Sequence, residues 1–118
     1  MIRVPVDKAR QLEDGQMAPF PCGEFQVLIC RVHGKLYAVE NLCSHAKTPL
    51  DGGKLEEYRV TCPLHGAKFD VRDGCHQSPP AFTGIISFEV EDSGDAISVL
   101  VPEKKPVVDP LGGLIRTR

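Results

Sequence analysis

Two short stretches, Cys43-Ser44-His45 and Cys62-Pro63-Leu64-His65, hold two of the five cysteines and two of the four histidines of this 118-residue chain. In extended backbone, residues two apart point to the same side, so Cys43 and His45 can reach one target together. A C-x-x-H turn likewise brings its two ends toward a common point. Each stretch supplies one thiolate and one imidazole, so the two together predict a metal centre with the ligands Cys43, His45, Cys62 and His65.

Two kinds of metal centre suit two cysteines and two histidines. One is a single zinc ion in a closed structural site. The other is a two-iron, two-sulfide cluster in which two imidazoles replace two thiolates on one iron. Zinc sites usually pair C-x-x-C with H-x-x-x-H, whereas here each stretch mixes one cysteine with one histidine. This mixing favours the binuclear cluster and leaves a zinc module as the alternative.

The rest of the chain predicts short strands between turn signals. Phe25–Val32 and residues 36–40 form a predicted hairpin across His33-Gly34-Lys35. Further predicted strands cover residues 58–61, 68–71, 86–91 and 97–101. Apolar and polar residues alternate most clearly in 86–91, which is typical of a half-buried strand. We therefore expect an antiparallel all-β fold.

Two segments with no strand period, residues 41–53 and 62–67, contain the four candidate ligands. Loops on a rigid sheet are common places for function. Three prolines and a Gly-Gly pair follow residue 101. We therefore predict a domain over residues 1–101 and an extended C-terminal tail over residues 102–118.

Composition narrows the class of protein. The net charge is −2, without the basic excess expected of a small nucleic-acid binder. The longest apolar runs are about four residues, far short of the roughly 20 that span a bilayer. The first residues lack the apolar core of a signal peptide. We expect a cytoplasmic protein, in which an odd number of cysteines is more typical of metal ligands or thiols than of a disulfide framework.

The motif C-S-H followed by C-P-L-H-G-A-K-F-D, with Asp73-Gly74 and Pro80-Ala81 after it, resembles the Rieske iron–sulfur family, in particular its small soluble ferredoxins. The resemblance covers nearly all of residues 2–101. It implies a Rieske fold of three small antiparallel sheets, with two cluster-binding loops at one end and a proline loop over them. It also implies that Cys43 and Cys62 bind the inner iron of one 2Fe-2S cluster, while His45 and His65 bind the outer iron at the surface.

The chain departs from the high-potential respiratory members of that family at four positions. Those proteins carry two further cysteines, which form a disulfide between the loops, where this chain has Thr48 and Leu64. They also carry a Ser and a Tyr, whose hydroxyls donate to sulfur, where this chain has Ala67 and Phe69. Because each such donor stabilises the reduced, more negative cluster, we predict a potential near the bottom of the range of about −150 to +300 mV.

The resemblance implies one-electron transfer rather than catalysis. Apart from the candidate ligands His45 and His65, the remaining histidines are His33 and His76. Their spacing does not suit the mononuclear iron site that a ring-hydroxylating oxygenase needs. We expect a carrier that takes electrons from a flavin-containing NAD(P)H reductase and passes them to a terminal aromatic-ring dioxygenase, docking transiently at the tip formed by His45 and His65. The alternative is the small Rieske-like subunit of an assimilatory nitrite reductase.

Overall fold

The computed structural model describes residues 1–43, 48–64, 66–78, 84–103, 107–108 and 114–115, with the backbone alone at 76–78, 107–108 and 114–115. A short 3-10 helix covers Asp7–Gln11. The strands are β1 (Ile2–Pro5), β2 (Met17–Cys22), β3 (Phe25–Val32), β4 (Lys35–Glu40), β5 (Lys54–Glu56), β6 (Arg59–Thr61), β7 (Lys68–Asp70), β8 (His76–Ser78), β9 (Ser87–Asp92), β10 (Ile97–Val101), β11 (Val107–Val108) and β12 (Leu114–Ile115). Within the described ranges, no helix has the length and apolarity needed to cross a membrane.

The strands form antiparallel sheets, as expected from the sequence. The larger sheet has the order β1-β10-β9-β4-β3-β2, and the smaller has the order β5-β6-β7-β8. β1 pairs with β10 from Ile2 opposite Val101 onward. The two halves of the larger sheet meet where β4 pairs with β9 at Ala38 and Val39. Because of this join, residues 1–101 form two sheets rather than three, and a separate ladder pairs β11 with β12.

Each sheet contains one tight hairpin turn in which a residue other than glycine has a positive φ. β3 and β4 are joined through His33 and Gly34, which have φ values of 50° and 79°. Positive φ at both central positions matches the twist of the flanking strands. β5 and β6 are joined through Glu57 and Tyr58, with Glu57 at φ 53°. The predicted strand over 58–61 is therefore one residue too long at its start, because Tyr58 belongs to the turn.

Six strands were not predicted from the sequence: β1, β2, β5, β8, β11 and β12. β2 contains Pro19 and Pro21, which argue against a strand, but it lies at an edge of the larger sheet, where a missing N–H is tolerated. β5 and β8 have three residues each, too few to show a period of two. Their pairing with β6 and β7 defines them instead.

Strand β3 separates two apolar cores. Leu28 and Cys30 pack into one core, whereas Val27 and Ile29 pack into the other. Successive side chains of a strand point to opposite faces, so the uninterrupted apolar run of β3 reflects burial on both sides. The first core also contains Cys43, Cys62 and Phe69 and so places both candidate cysteine ligands at the interior of the protein.

Candidate metal centre

The structure brings the two candidate cysteine ligands into one buried cluster. Cys43 lies just beyond β4 and Cys62 just beyond β6, and their exposed fractions are 0% and 1%. Leu50, Ala67 and other apolar side chains surround them. His45 and His65 lie outside the described residues. The structure thus reports on the cysteine half of the predicted ligand set.

Each cysteine begins a loop that returns to the cysteine's own backbone. The N–H of Cys43 donates to the carbonyl of Thr48 at 2.8 Å, and the N–H of Cys62 donates to the carbonyl of Ala67 at 2.7 Å. We call residues 43–48 the first ligand loop and residues 62–67 the second ligand loop. Both loops are closed by the same bond, from the N–H of the cysteine to the carbonyl five residues later, which fixes the backbone at Cys43 and at Cys62.

A third closure lies at the base of the predicted proline loop. The N–H of Ile85 donates to the carbonyl of Gly74 at 2.8 Å, and the N–H of Gly74 donates to the carbonyl of Asp70 at 2.7 Å. A Cβ atom on Gly74 would lie 1.9 Å from the carbonyl oxygen of Ile85, so the close approach requires glycine. Pro79 and Pro80, and with them the predicted cover, lie outside the described residues.

Asp70 organises the turn after β7. Its buried carboxylate accepts from the backbone N–H of Arg72 at 2.8 Å and from the Arg72 guanidinium at 2.6 Å. That guanidinium also lies over the ring of Tyr58, 4.1 Å from its centroid. The hydrogen bond from the Arg72 side chain lowers the pKa of Asp70, against the opposing effect of burial. The arrangement locks the turn that leads to Gly74 and the third closure.

The other three cysteines differ in burial: Cys22 and Cys30 are buried, and Cys75 is exposed. Burial raises the pKa of Cys30 to about 12 and raises that of Cys22. Cys30 fills the apolar core, as its position in an apolar strand predicts. Cys75 is exposed in the turn that precedes β8.

Asn41 is a buried polar residue beside the first ligand loop that sequence reasoning did not single out. Its Oδ1 atom accepts from the N–H of Leu50 at 2.8 Å and from the N–H of Asp51 at 3.0 Å. Its Nδ2 atom donates to Oδ1 of Asp51 at 3.0 Å. An asparagine two residues before a C-x-H motif was the available signal, but its partners follow nine and ten residues later.

The donor set fits an iron–sulfur cluster. Two thiols lie in one apolar core, and each starts a loop that carries a candidate imidazole. Thiolates are soft ligands suited to iron–sulfur centres, and the apolar surroundings limit access of solvent. The family model of the Rieske [2Fe-2S] domain matches residues 2–89, which include both loops.

The chain belongs to the Rieske family.

Relatives of this Rieske protein include ferredoxin components of dioxygenase systems. The ferredoxin component of biphenyl 2,3-dioxygenase from Rhodococcus jostii (strain RHA1) is 40% identical over 75% of this chain and 82% of its own length. The solved ferredoxin of carbazole 1,9a-dioxygenase from Nocardioides aromaticivorans IC177 is 33% identical, with a TM-score of 0.79 over 84% of this chain and 97% of that one. A chain in the solved complex of reduced oxygenase and oxidized ferredoxin in carbazole 1,9a-dioxygenase is 28% identical, with a TM-score of 0.76 over 82% of this chain and 100% of that one.

These findings confirm the Rieske fold, the Rieske-type 2Fe-2S cofactor and the class of electron carrier. The relatives are ferredoxin components rather than catalytic ones, and they favour this class over the alternative of a nitrite reductase subunit. The assignment of Cys43, His45, Cys62 and His65 as the four ligands stays a prediction.

Proposed function

We propose that this Rieske protein carries single electrons from a flavin-containing NAD(P)H reductase to a terminal aromatic-ring dioxygenase. The observation that carries the proposal is the burial of Cys43 and Cys62 in one core, each at the start of a closed loop. Relatives that are ferredoxin components of dioxygenase systems support the class of partner.

In this proposal, Cys43 and Cys62 hold the inner iron of the cluster, and His45 and His65 hold the outer iron. When bound, the cluster would supply one-electron redox chemistry at this site. With two thiolates the oxidised site is neutral, so adding an electron costs less electrostatic work than at a four-thiolate site. The protein's own contribution is to bury the two sulfur atoms and to fix the loops that carry the imidazoles.

Docking at the tip formed by His45 and His65 is supported by Leu64. This side chain is 56% exposed and directly precedes His65 in the second ligand loop. An exposed leucine beside a candidate ligand suits a small, transient contact with a partner. In this proposal the reductase and the oxygenase dock one after the other at this same tip of the ferredoxin.

The proposal also includes a cytoplasmic location and a division of the chain into a domain over residues 1–101 and a tail over residues 102–118. The odd number of cysteines supports a reducing compartment. Pairing of β10 within the larger sheet supports a domain boundary after Val101.

The ligand set is tested by iron and acid-labile sulfide content with electron paramagnetic resonance of the reduced protein. The wild type is expected to hold two irons and two sulfides per chain and to give the spectrum of mixed histidine and cysteine ligation. Cys43→Ala and Cys62→Ala should lose the cluster, whereas the matched control Cys75→Ala should retain it. A fully loaded Cys62→Ala variant would remove Cys62 from the ligand set.

The docking surface is tested by electron transfer from a ferredoxin reductase and to a terminal dioxygenase. Leu64→Gln should slow both reactions by about tenfold while leaving the potential unchanged, because the substitution adds no charge. Leu64→Met keeps an apolar side chain and serves as the control. Equal rates for both variants and the wild type would place docking elsewhere.

A further inference from the structure

We propose that Asn41 is a positioning residue that holds the first ligand loop in place for cluster binding. This inference rests on the proposed function, since it concerns the loop assigned to Cys43 and His45. Asn41 is the residue directly after β4 and is 7% exposed. Its side-chain amide forms hydrogen bonds with Leu50 and Asp51. These bonds enclose the whole of the first ligand loop.

The partners of Asn41 define which amide atom is which. One atom faces two backbone N–H donors, so it is the oxygen, and the other faces the carboxylate of Asp51, so it is the nitrogen. While residue 51 is an aspartate, an acceptor and a donor are both required at position 41. Neither aspartate nor leucine supplies both.

Asn41 is itself anchored to the larger sheet. Its backbone N–H donates to the carbonyl of Gln26 in β3 at 2.7 Å. Leu50, on the far side of the first ligand loop, is fully buried in the core that contains Cys43 and Cys62. The chain then continues through Gly53, whose N–H donates to the carbonyl of Leu50 at 2.9 Å, into β5.

The consequence is a pair of nested closures. The inner one is the backbone bond from Cys43 to Thr48, and the outer one is the side-chain clamp from Asn41 to Leu50 and Asp51. Without the side chain of Asn41, the loop keeps the backbone bond from Cys43 to Thr48. It loses the hydrogen bonds that connect the end of β4 in the larger sheet to the segment that leads into β5 of the smaller sheet. Core packing alone then holds Cys43 relative to Cys62, without the hydrogen bonds of Asn41.

The experiment measures iron release from reduced holoprotein to a chelator, with the potential and the electron paramagnetic resonance spectrum as independent readouts. Asn41→Ala should release iron at least about tenfold faster than the wild type, because it removes three hydrogen bonds. Asn41→Asp should also release iron faster, because it places a second carboxylate against that of Asp51. Both variants should show an altered spectrum and potential.

Rescue separates this role from general stability. Asp51→Asn keeps an acceptor for Nδ2 of Asn41 and should behave like the wild type. The double variant Asn41→Asp with Asp51→Asn reverses donor and acceptor and should restore slow iron release. Val99→Ala, in the other core, is the control for global destabilisation, which urea unfolding measures for every variant.

The outcomes are distinct. Failure of Asn41→Ala to load a cluster that Val99→Ala does load supports the inference. Iron release from Asn41→Ala that matches Val99→Ala, or no rescue in the double variant, would overturn it and leave the proposed function standing. Wild-type protein that holds no Rieske cluster would overturn the proposed function itself.

Discussion

Nε2 of His33 lies 2.6 Å from Oε2 of Glu57, and both residues have positive φ. Among the described residues, no other non-glycine residue has a positive φ. His33 lies in the β3–β4 turn of the larger sheet and Glu57 in the β5–β6 turn of the smaller sheet. The contact therefore links the turns of two sheets at positions where the backbone of each is strained.

This strain predicts a reversal of the usual order of alanine and glycine. Glu57→Gly and Glu57→Ala both lose the contact with His33, but only alanine retains a Cβ atom at φ 53°. The glycine variant should therefore be more stable than the alanine variant by about 1 kcal/mol in urea unfolding. An alanine variant of equal or greater stability would show that the turn relaxes to negative φ.

The ion pair of Asp70 with Arg72 predicts a dependence of stability on pH. Because the pKa of Asp70 is lower in the folded than in the unfolded protein, its stabilising effect is present above the unfolded value of about 4. That effect is lost as the pH falls through the folded value. Asp70→Asn should reduce stability at pH 7, modestly because solvent screens the exposed guanidinium, and the deficit should shrink below pH 4.

Asp73→Asn is the matched control for this pH experiment. Asp73 lies in the same turn, and its carboxylate accepts from the backbone N–H of Cys75 at 2.9 Å. An asparagine oxygen can accept the same bond. Urea unfolding of both variants from pH 3 to 7 checks the prediction, and a deficit for Asp70→Asn that does not change with pH would contradict it.

The third closure predicts that substitution by alanine destabilises the protein by different amounts at two glycines that have similar φ values. Gly74 and Gly94 have φ values of 80° and 88°, but a Cβ on Gly94 would meet nothing within 4 Å. Gly94→Ala should cost about 1 kcal/mol from backbone strain. Gly74→Ala should cost several kcal/mol, because the Cβ collides with the carbonyl of Ile85. Similar losses in thermal unfolding would mean that the segment at Ile85 moves away easily.

Two buried apolar residues predict how the potential can be raised. Ala67 and Phe69 share the core of Cys43 and Cys62 and stand where high-potential members of the family carry hydroxyls. Ala67→Ser or Phe69→Tyr should raise the potential by about 40 mV, the equivalent of one hydrogen bond of about 1 kcal/mol. Voltammetry checks this, with Cys75→Ser as a hydroxyl control outside the core. An unchanged potential in a loaded variant would show that the new hydroxyl does not reach sulfur.

A strand was predictable from the sequence where its own residues show the pattern of apolar positions typical of a strand. β3 and β10 match the predicted bounds because their apolar residues decide both burial and length. β5 and β8 are too short for a pattern and exist through their neighbours. β2 is tolerated despite its prolines because it lies at an edge, and edge position is a property of the completed sheet.

The candidate site divides in the same way. The meeting of Cys43 and Cys62 in one core was predictable, because ligand chemistry restricts residue type and spacing within a few positions. Asn41 was not, because an asparagine becomes a clamp only when folding brings Leu50 and Asp51 to it. The link from Asp70 through Arg72 to Tyr58 also depends on the pairing of β6 with β7.

The pairing of Ile2 with Val101 has a consequence for biosynthesis. β1 leaves the ribosome early, but its hydrogen-bonding partner β10 is made last among the strands of the larger sheet. Both ligand loops are already made when β10 emerges, and Cys43 and Cys62 lie in the core to which β10 contributes no residue. Completion of the larger sheet, and with it the burial of the core that contains Val27 and Val99, therefore follows the synthesis of β10 rather than proceeding from the N-terminus.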